Sequence, residues 1–244
     1  MPNLPKPMVR TEGDRRTLEF TPGDIQSAMR LSRPAALVLA YTRAMICFAL
    51  FVPRPRHILM VGLGGGSMAR FCHRHFPASR ITVLELRADV IALREQFLVP
   101  PDDARFRVIH ADAADWMARM AREGKAIADV IVADGFDEAG LPPGLSSRPF
   151  YEDCRRLLLP HGVLAANVFS YDPRHDAVLD ALDRAFDGRC CRLDKVAGNN
   201  RIVFAGGGIQ SRAARLLPDS RLELLNRLYV RLILMRIALR SVFA

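Results

Sequence analysis

Apolar residues follow two rhythms along this chain. Short runs such as His57-Ile-Leu-Met-Val61, Asp129-Val-Ile-Val-Ala133 and Gly162-Val-Leu-Ala-Ala-Asn-Val168 are apolar almost throughout, the pattern of strands buried on both faces of a sheet. Between them lie stretches with apolar positions three and four residues apart, the period of helices that cover such a sheet. From Arg56 onward this predicts strands over 57–61, 80–85, 105–109, 129–133 and 162–168. Helices are predicted over 67–76, 88–97, 113–122, 148–158 and 174–186. Alternation at this spacing specifies an α/β fold with a doubly wound, mostly parallel sheet covered on both faces. Arg201-Ile-Val-Phe-Ala205 reads as a closing strand, and Gly206-Gly-Gly208 ends the domain.

The flanks read differently. Residues 1–12 hold three prolines and little periodicity, which predicts a loose arm. Thr17-Leu-Glu-Phe-Thr21 followed by Pro22-Gly23 predicts a hairpin, and Pro34 opens a helix that runs to about Phe51. A last helix is expected over 219–243, apolar but carrying arginines at 221, 227, 231, 236 and 240. The expected division is therefore 1–55 as arm, hairpin and helix, 56–208 as the sheet domain, and 209–244 as a basic amphipathic helix.

Composition sharpens this picture in a few places. With 244 residues, half of them hydrophobic, the chain can bury one sizeable core. The net charge of +9 sits in the two ends, while the sheet domain is slightly acidic. An enzyme of nucleic acids is expected to gather positive potential round its cleft, so this distribution argues against such a partner. Arginines interrupt the last helix too often for it to span a bilayer. Packing on its own domain or on a dimer mate is the plain reading, with contact at a membrane surface as the alternative. The apolar stretch from Pro34 to Pro53 is broken by Tyr41-Thr42 and Arg43 and reads as a buried helix. Five cysteines without metal-ligand spacing, and no signal-peptide pattern, point to a reducing cytoplasmic location and no metal.

The chemistry is concentrated at strand ends. The strand 57–61 runs into Gly62-Leu-Gly-Gly-Gly66, and the next strand ends in Glu85. Such a turn lets the backbone bend sharply and approach a ligand closely, while the acid can accept both hydroxyls of a ribose. The same geometry serves NAD, FAD and S-adenosylmethionine. Further acids follow at the ends of the third and fourth strands, Asp112 and Asp134, with Asp137 on the loop beyond. A dinucleotide pyrophosphate prefers positive groups, whereas carboxylates suit a cationic sulfonium nucleoside or an amine. The local charge thus favours S-adenosylmethionine or a relative. Asp112, placed just before a helix, reads equally well as its N-cap.

These residues, with Ser147-Arg-Pro-Phe-Tyr151 and Leu159-Pro-His-Gly-Val163, resemble the spermidine synthase family and its methyltransferase-fold relatives from about Leu18 to Phe204. The resemblance implies a Rossmann-like sheet of the S-adenosylmethionine-dependent methyltransferase type and a homodimer. It implies that Glu85 holds the ribose, Asp112 with Ala113 the adenine, and the turn of Gly62, Gly64, Gly65 and Gly66 the tail of the sulfonium ligand. Asp134 is then the catalytic carboxylate and Asp137 a binder of the amine, with Gln26 and Tyr41 around the substrate. Two departures stand out. Gly65 occupies a position where the family has an aspartate, and Thr42-Arg43 follow Tyr41 where it has histidine and glutamate. The donor is accordingly read as either S-adenosylmethionine or its decarboxylated form, transferring methyl or aminopropyl to an amine or other small-molecule nucleophile. A non-catalytic scaffold that binds a partner or membrane through its basic ends is the reading from a different class, and a nucleic-acid methyltransferase is the third.

Overall fold

The computed structural model describes residues 5–136, 140–209 and 223–242. Three strands, β1 (Met8–Glu12), β2 (Arg15–Glu19) and β3 (Ile25–Arg30), form a small antiparallel sheet. A short helix α1 (Ala40–Met45) continues as a 3-10 turn over Ile46–Leu50. Next come β4 (His57–Val61), α2 (Ser67–His75), β5 (Arg80–Glu85), α3 (Ala88–Ile91), β6 (Phe106–His110), α4 (Ala113–Arg122) and β7 (Ala128–Ala133). The chain continues through α5 (Pro143–Ser146), α6 (Arg148–Leu157), β8 (Leu158–Phe169), α7 (His175–Ala185), β9 (Cys190–Ala197) and β10 (Asn200–Ala205), and α8 covers Glu223–Val242.

The seven strands β4 to β10 make one sheet in the order β6-β5-β4-β7-β8-β10-β9. The first five pair in parallel and β10 runs antiparallel to both its neighbours, β8 and β9, in keeping with the mostly parallel α/β expectation. Alternation along each strand feeds two cores. Ile58, Met60, Val130 and Val132 face α2, the 3-10 turn and α8, while Leu59, Val61, Ile131 and Leu164 face α4, α6 and α7. Central strands buried on both faces must be apolar at every position, which is why their runs read so clearly.

Several expectations are corrected. The arm is not loose throughout, since Met8–Glu12 pairs with β2 from Met8↔Glu19 to Glu12↔Arg15. Its prolines all precede Met8, leaving five residues free to join a ladder. The long helix over 34–51 shrinks to α1 and the 3-10 turn. Arg70 Nε takes the Pro34 carbonyl, and Arg43 Nη1 takes those of Leu37 and Val38, acceptors that a continuous helix would have used. The helix expected over 88–97 is α-helical only to Ile91 and then tightens into i→i−3 turns at Leu93 and Arg94. Strand β9 escaped the pattern because it is an edge strand, half exposed and polar at alternate positions.

The last helix docks by one face. Val230, Ile233 and Ile237 are buried in the core, and Leu228, Leu232, Met235 and Leu239 remain exposed. No helix among the described residues is long and apolar enough to cross a membrane.

Candidate active site

Strand order reverses between β4 and β7, since the chain passes from β4 outward to β5 and β6 and returns on the other side at β7. In an open parallel sheet a ligand crevice forms beyond the carboxyl ends at this switch point. A cavity of about 640 Å³ lies there, roofed by β3 and α1. At its floor the two strand ends are locked together, with Asp134 N–H donating to the Val61 carbonyl at 3.0 Å. Gly62 adopts φ +92°, and a Cβ there would come within 2.4 Å of the Asp134 carbonyl oxygen. Only glycine permits that approach.

Glu85 ends β5 beside the turn and is buried. Its Oε2 accepts the Leu63 N–H and its Oε1 the Arg87 N–H, both at 2.8 Å. Each oxygen keeps a further lone pair, so the fixed carboxylate can still accept two adjacent hydroxyls, as a ribose diol requires. Asp112 is the N-cap of α4, its Oδ1 accepting from Ala114 N and Asp115 N, and it also lines the cavity, as does Ala113. Asp112 therefore caps the helix and also faces the cavity. The cavity, the glycine turn and the paired acceptors together fit an adenosyl group.

At the other end stands Asp134. Asn167 Nδ2 donates to its Oδ1 at 2.9 Å, and the Tyr41 hydroxyl also donates to the carboxylate. Burial pushes the carboxyl up to about 6, against the pull of these two donors. Burial and the nearby carboxylate together hold the Tyr41 phenol well above its usual range. Asn167 is 2% exposed and lies on the cavity wall, yet its Oδ1 has no hydrogen-bond partner among the described residues. A buried acceptor left open beside a carboxylate suits an incoming donor, since leaving it unpaired costs about 1–3 kcal/mol. Sequence reasoning passed over Asn167. Its signal was a lone amide within the apolar run of β8.

Of the other expected residues, Gln26 and Tyr41 line the cavity, and Gln26 Nε2 donates to Asp24 at 2.9 Å. Gly62 and Gly64 line it too. Gly65 packs against Ser27 and Phe97, and Gly66 caps α2 with φ +67°. Arg43, in place of a family acid, turns onto the Leu37 and Val38 carbonyls at 3.1 Å. Asp137 lies outside the described residues. Phe136 packs on Phe169 with centroids 4.2 Å apart, and Tyr171 stacks on Phe169 at 5.1 Å, giving the cavity an aromatic wall.

Comparison with known proteins places the chain by family and fold. Residues 38–182 match the family described as spermine/spermidine synthase domain. The polyamine aminopropyltransferase of Chromobacterium violaceum is 36% identical over 203 residues, 83% of this chain and 76% of that protein. Human methyltransferase-like protein 13, solved in complex with SAH, superposes with a TM-score of 0.63 at 27% identity over 80% of this chain and 92% of its own. A probable spermidine synthase from Corynebacterium glutamicum shares the fold, with a TM-score of 0.72 at 23% identity over 92% of this chain and 90% of its own.

Proposed function

Because this chain belongs to the spermine/spermidine synthase family, we propose that it is an alkyltransferase moving a carbon group from an adenosyl sulfonium donor to a small amine. The donor substrate supplies an electrophilic carbon on a positively charged sulfur. Glu85, Asp112 and Ala113 hold its adenosyl part.

The remaining task falls on the amine. Amines are largely protonated near neutral pH, and only the neutral form has a lone pair to attack with, so a proton must be taken at the site. Asp134 is that base. With its carboxyl near 6 it is mostly ionised at neutral pH, yet more basic than an ordinary aspartate. Asn167 Oδ1 accepts a second N–H of the amine, and Tyr41, fixed on Asp134, walls the pocket. As the new carbon–nitrogen bond forms, sulfur keeps the electron pair of its broken bond and becomes a neutral thioether. The proton lost by the amine passes to Asp134. Phe136 and Phe169 offer an apolar face to the carbon chain of the amine.

The observation that carries the proposal is Asp134 itself, a carboxylate kept at an unfavourable ionisation beside an unpaired acceptor on the wall of a nucleoside-sized cavity. A scaffold without catalysis has no use for that arrangement. The test follows thioether release with either adenosyl sulfonium and a panel of short diamines. Asp134→Asn should lower kcat/KM by roughly 10²–10⁴ while leaving donor affinity within a few-fold. Full transfer by the variant would refute the assignment.

A further inference from the structure

We infer that α8 lays this protein on an anionic membrane surface, with Leu228, Leu232, Met235 and Leu239 settling at the acyl boundary and Arg231 and Arg236 reaching lipid phosphates. The contact is separate from the transfer chemistry, since no α8 residue lines the nucleoside cavity.

The helix has two apolar faces, and the fold uses one of them. Val230, Ile233 and Ile237 are buried against the core, whereas Leu228, Leu232, Met235 and Leu239 are 44%, 57%, 55% and 62% exposed. At roughly 3.6 residues per turn the exposed four fall in one line along the helix, on the side opposite the buried three. Apolar residues scattered singly over a surface need no explanation, but four large ones in line form a patch of the kind that marks a contact site. The line covers roughly 16 Å of helix axis, long enough to rest along a surface. No helix among the described residues is long and apolar enough to cross a membrane, so α8 lies on the bilayer and does not span it.

Charge selects what the stripe meets. Arg231 and Arg236 are exposed, stand on opposite shoulders of the stripe, and join no ion pair among the described residues. The sequence of α8 holds arginines at 227, 231, 236 and 240 and no acid after Glu223. Two copies of α8 laid side by side would set arginine against arginine in either direction, with no carboxylate between them to offset the repulsion. An anionic leaflet supplies the missing negative charge, and each arginine beside it strengthens binding roughly fivefold. The apolar side chains then enter the acyl boundary while the long arginine side chains bend back to the phosphates. Leucine and methionine on a convex ridge adapt to a fluid surface and require no groove shaped to receive them, as a folded protein partner would have to provide.

Co-sedimentation of the full chain with vesicles tests this, comparing phosphatidylcholine alone with phosphatidylcholine containing about one-third phosphatidylserine. The mixed vesicles should bind at least roughly tenfold more tightly. Arg231→Gln with Arg236→Gln should weaken that binding roughly 10- to 30-fold, and Leu232→Asp with Met235→Asp should abolish it. All four positions are exposed, so thermal unfolding of both variants should match that of the unaltered chain. Binding that survives the Leu232 and Met235 changes overturns the proposal, because it is then only the general attraction of a chain with net charge +9. Absence of binding to the mixed vesicles overturns it as well. In that case sedimentation of the free protein assigns the stripe, to a second copy if a dimer is dissociated by Leu232→Asp with Met235→Asp, and to a protein partner if the chain is a monomer.

Discussion

Replacing Asp134 by asparagine should make the protein more stable at pH 8 than the unaltered chain, and not at pH 4. Burial raises the Asp134 carboxyl from its ordinary 3.8 to about 6. At about 1.36 kcal/mol for each tenfold change in the proton equilibrium, ionising it in the folded state costs about 3 kcal/mol more than in the unfolded chain. A raised carboxyl favours the folded state where it is protonated. Its contribution is full below about 4, falls as pH rises through about 6, and is gone by pH 8. Asparagine keeps the shape, can still accept from Asn167 through its one oxygen, and never ionises. The variant should therefore melt about 6–12 °C above the unaltered protein at pH 8, taking 2–4 °C per kcal/mol for a chain of this size. The difference should almost vanish near pH 4. Thermal unfolding of both proteins across this range reads it without any substrate. A difference that stays constant with pH would refute the reasoning, because it would mean that the carboxyl ionises as freely folded as unfolded.

Three further outcomes follow from the same geometry. Glu85→Gln replaces one backbone acceptor by an NH₂ group, facing either Leu63 N–H or Arg87 N–H. It should cost about 1–3 kcal/mol of stability and weaken methylthioadenosine binding at least roughly tenfold, read by unfolding and calorimetry. Gly62→Ala sets a Cβ 2.4 Å from the Asp134 carbonyl at φ +92°, so it should lower stability by about 1–3 kcal/mol and sharply reduce thioether release. On α8, Ile233→Ala should destabilise by about 2–4 kcal/mol and Leu232→Ala by no more than about 0.5 kcal/mol, which urea unfolding would separate.

The parts of the site legible in the sequence are those whose chemistry is local. Strands β4, β5 and β7 are buried on both faces, so their apolar runs locate their own ends, and Glu85 and Asp134 fall there by counting. The glycine turn is legible because its backbone cannot be made with other residues at Gly62. Asn167 was hidden because an amide within the apolar run of β8 looks like an isolated exception until Asp134 is seen 2.9 Å away. The brace that Arg70 forms beneath the glycine turn was hidden for a related reason. Its acceptors belong to Pro34, Gly65 and Phe97, far apart in the chain, and all are carbonyls, which leave no trace in residue type. The same long-range donors shortened the helix expected over 34–51. Edge strands β1 and β9 carry little apolar signal because one side of each faces solvent.

Strand β7 carries the contrast that best separates structure from chemistry in this fold. It holds Asp129 near its start and leads into Asp134 just past its end. Burial works to raise Asp129, but His57 N–H and Arg56 N–H donate to its Oδ2 at 2.9 and 2.8 Å, and His161 Nε2 stands 2.9 Å from its Oδ1. The donors win, and its carboxyl is held below the ordinary value. That acid ties β4 to β7 and β8 and is satisfied without any ligand. Asp134 receives two donors instead of three, one of them an amide whose own carbonyl stays unpaired, and there burial wins. Two aspartates at opposite ends of β7, one within it and one just past it, are thus pushed in opposite directions by their surroundings, the pattern that assigns separate roles to like groups. The one at the carboxyl end, where the switch point opens the cavity, is left short of partners. On the proposed function, a substrate amine with two N–H bonds would supply what both Asp134 and Asn167 lack, and binding it would relieve the cost that the folded protein carries without it.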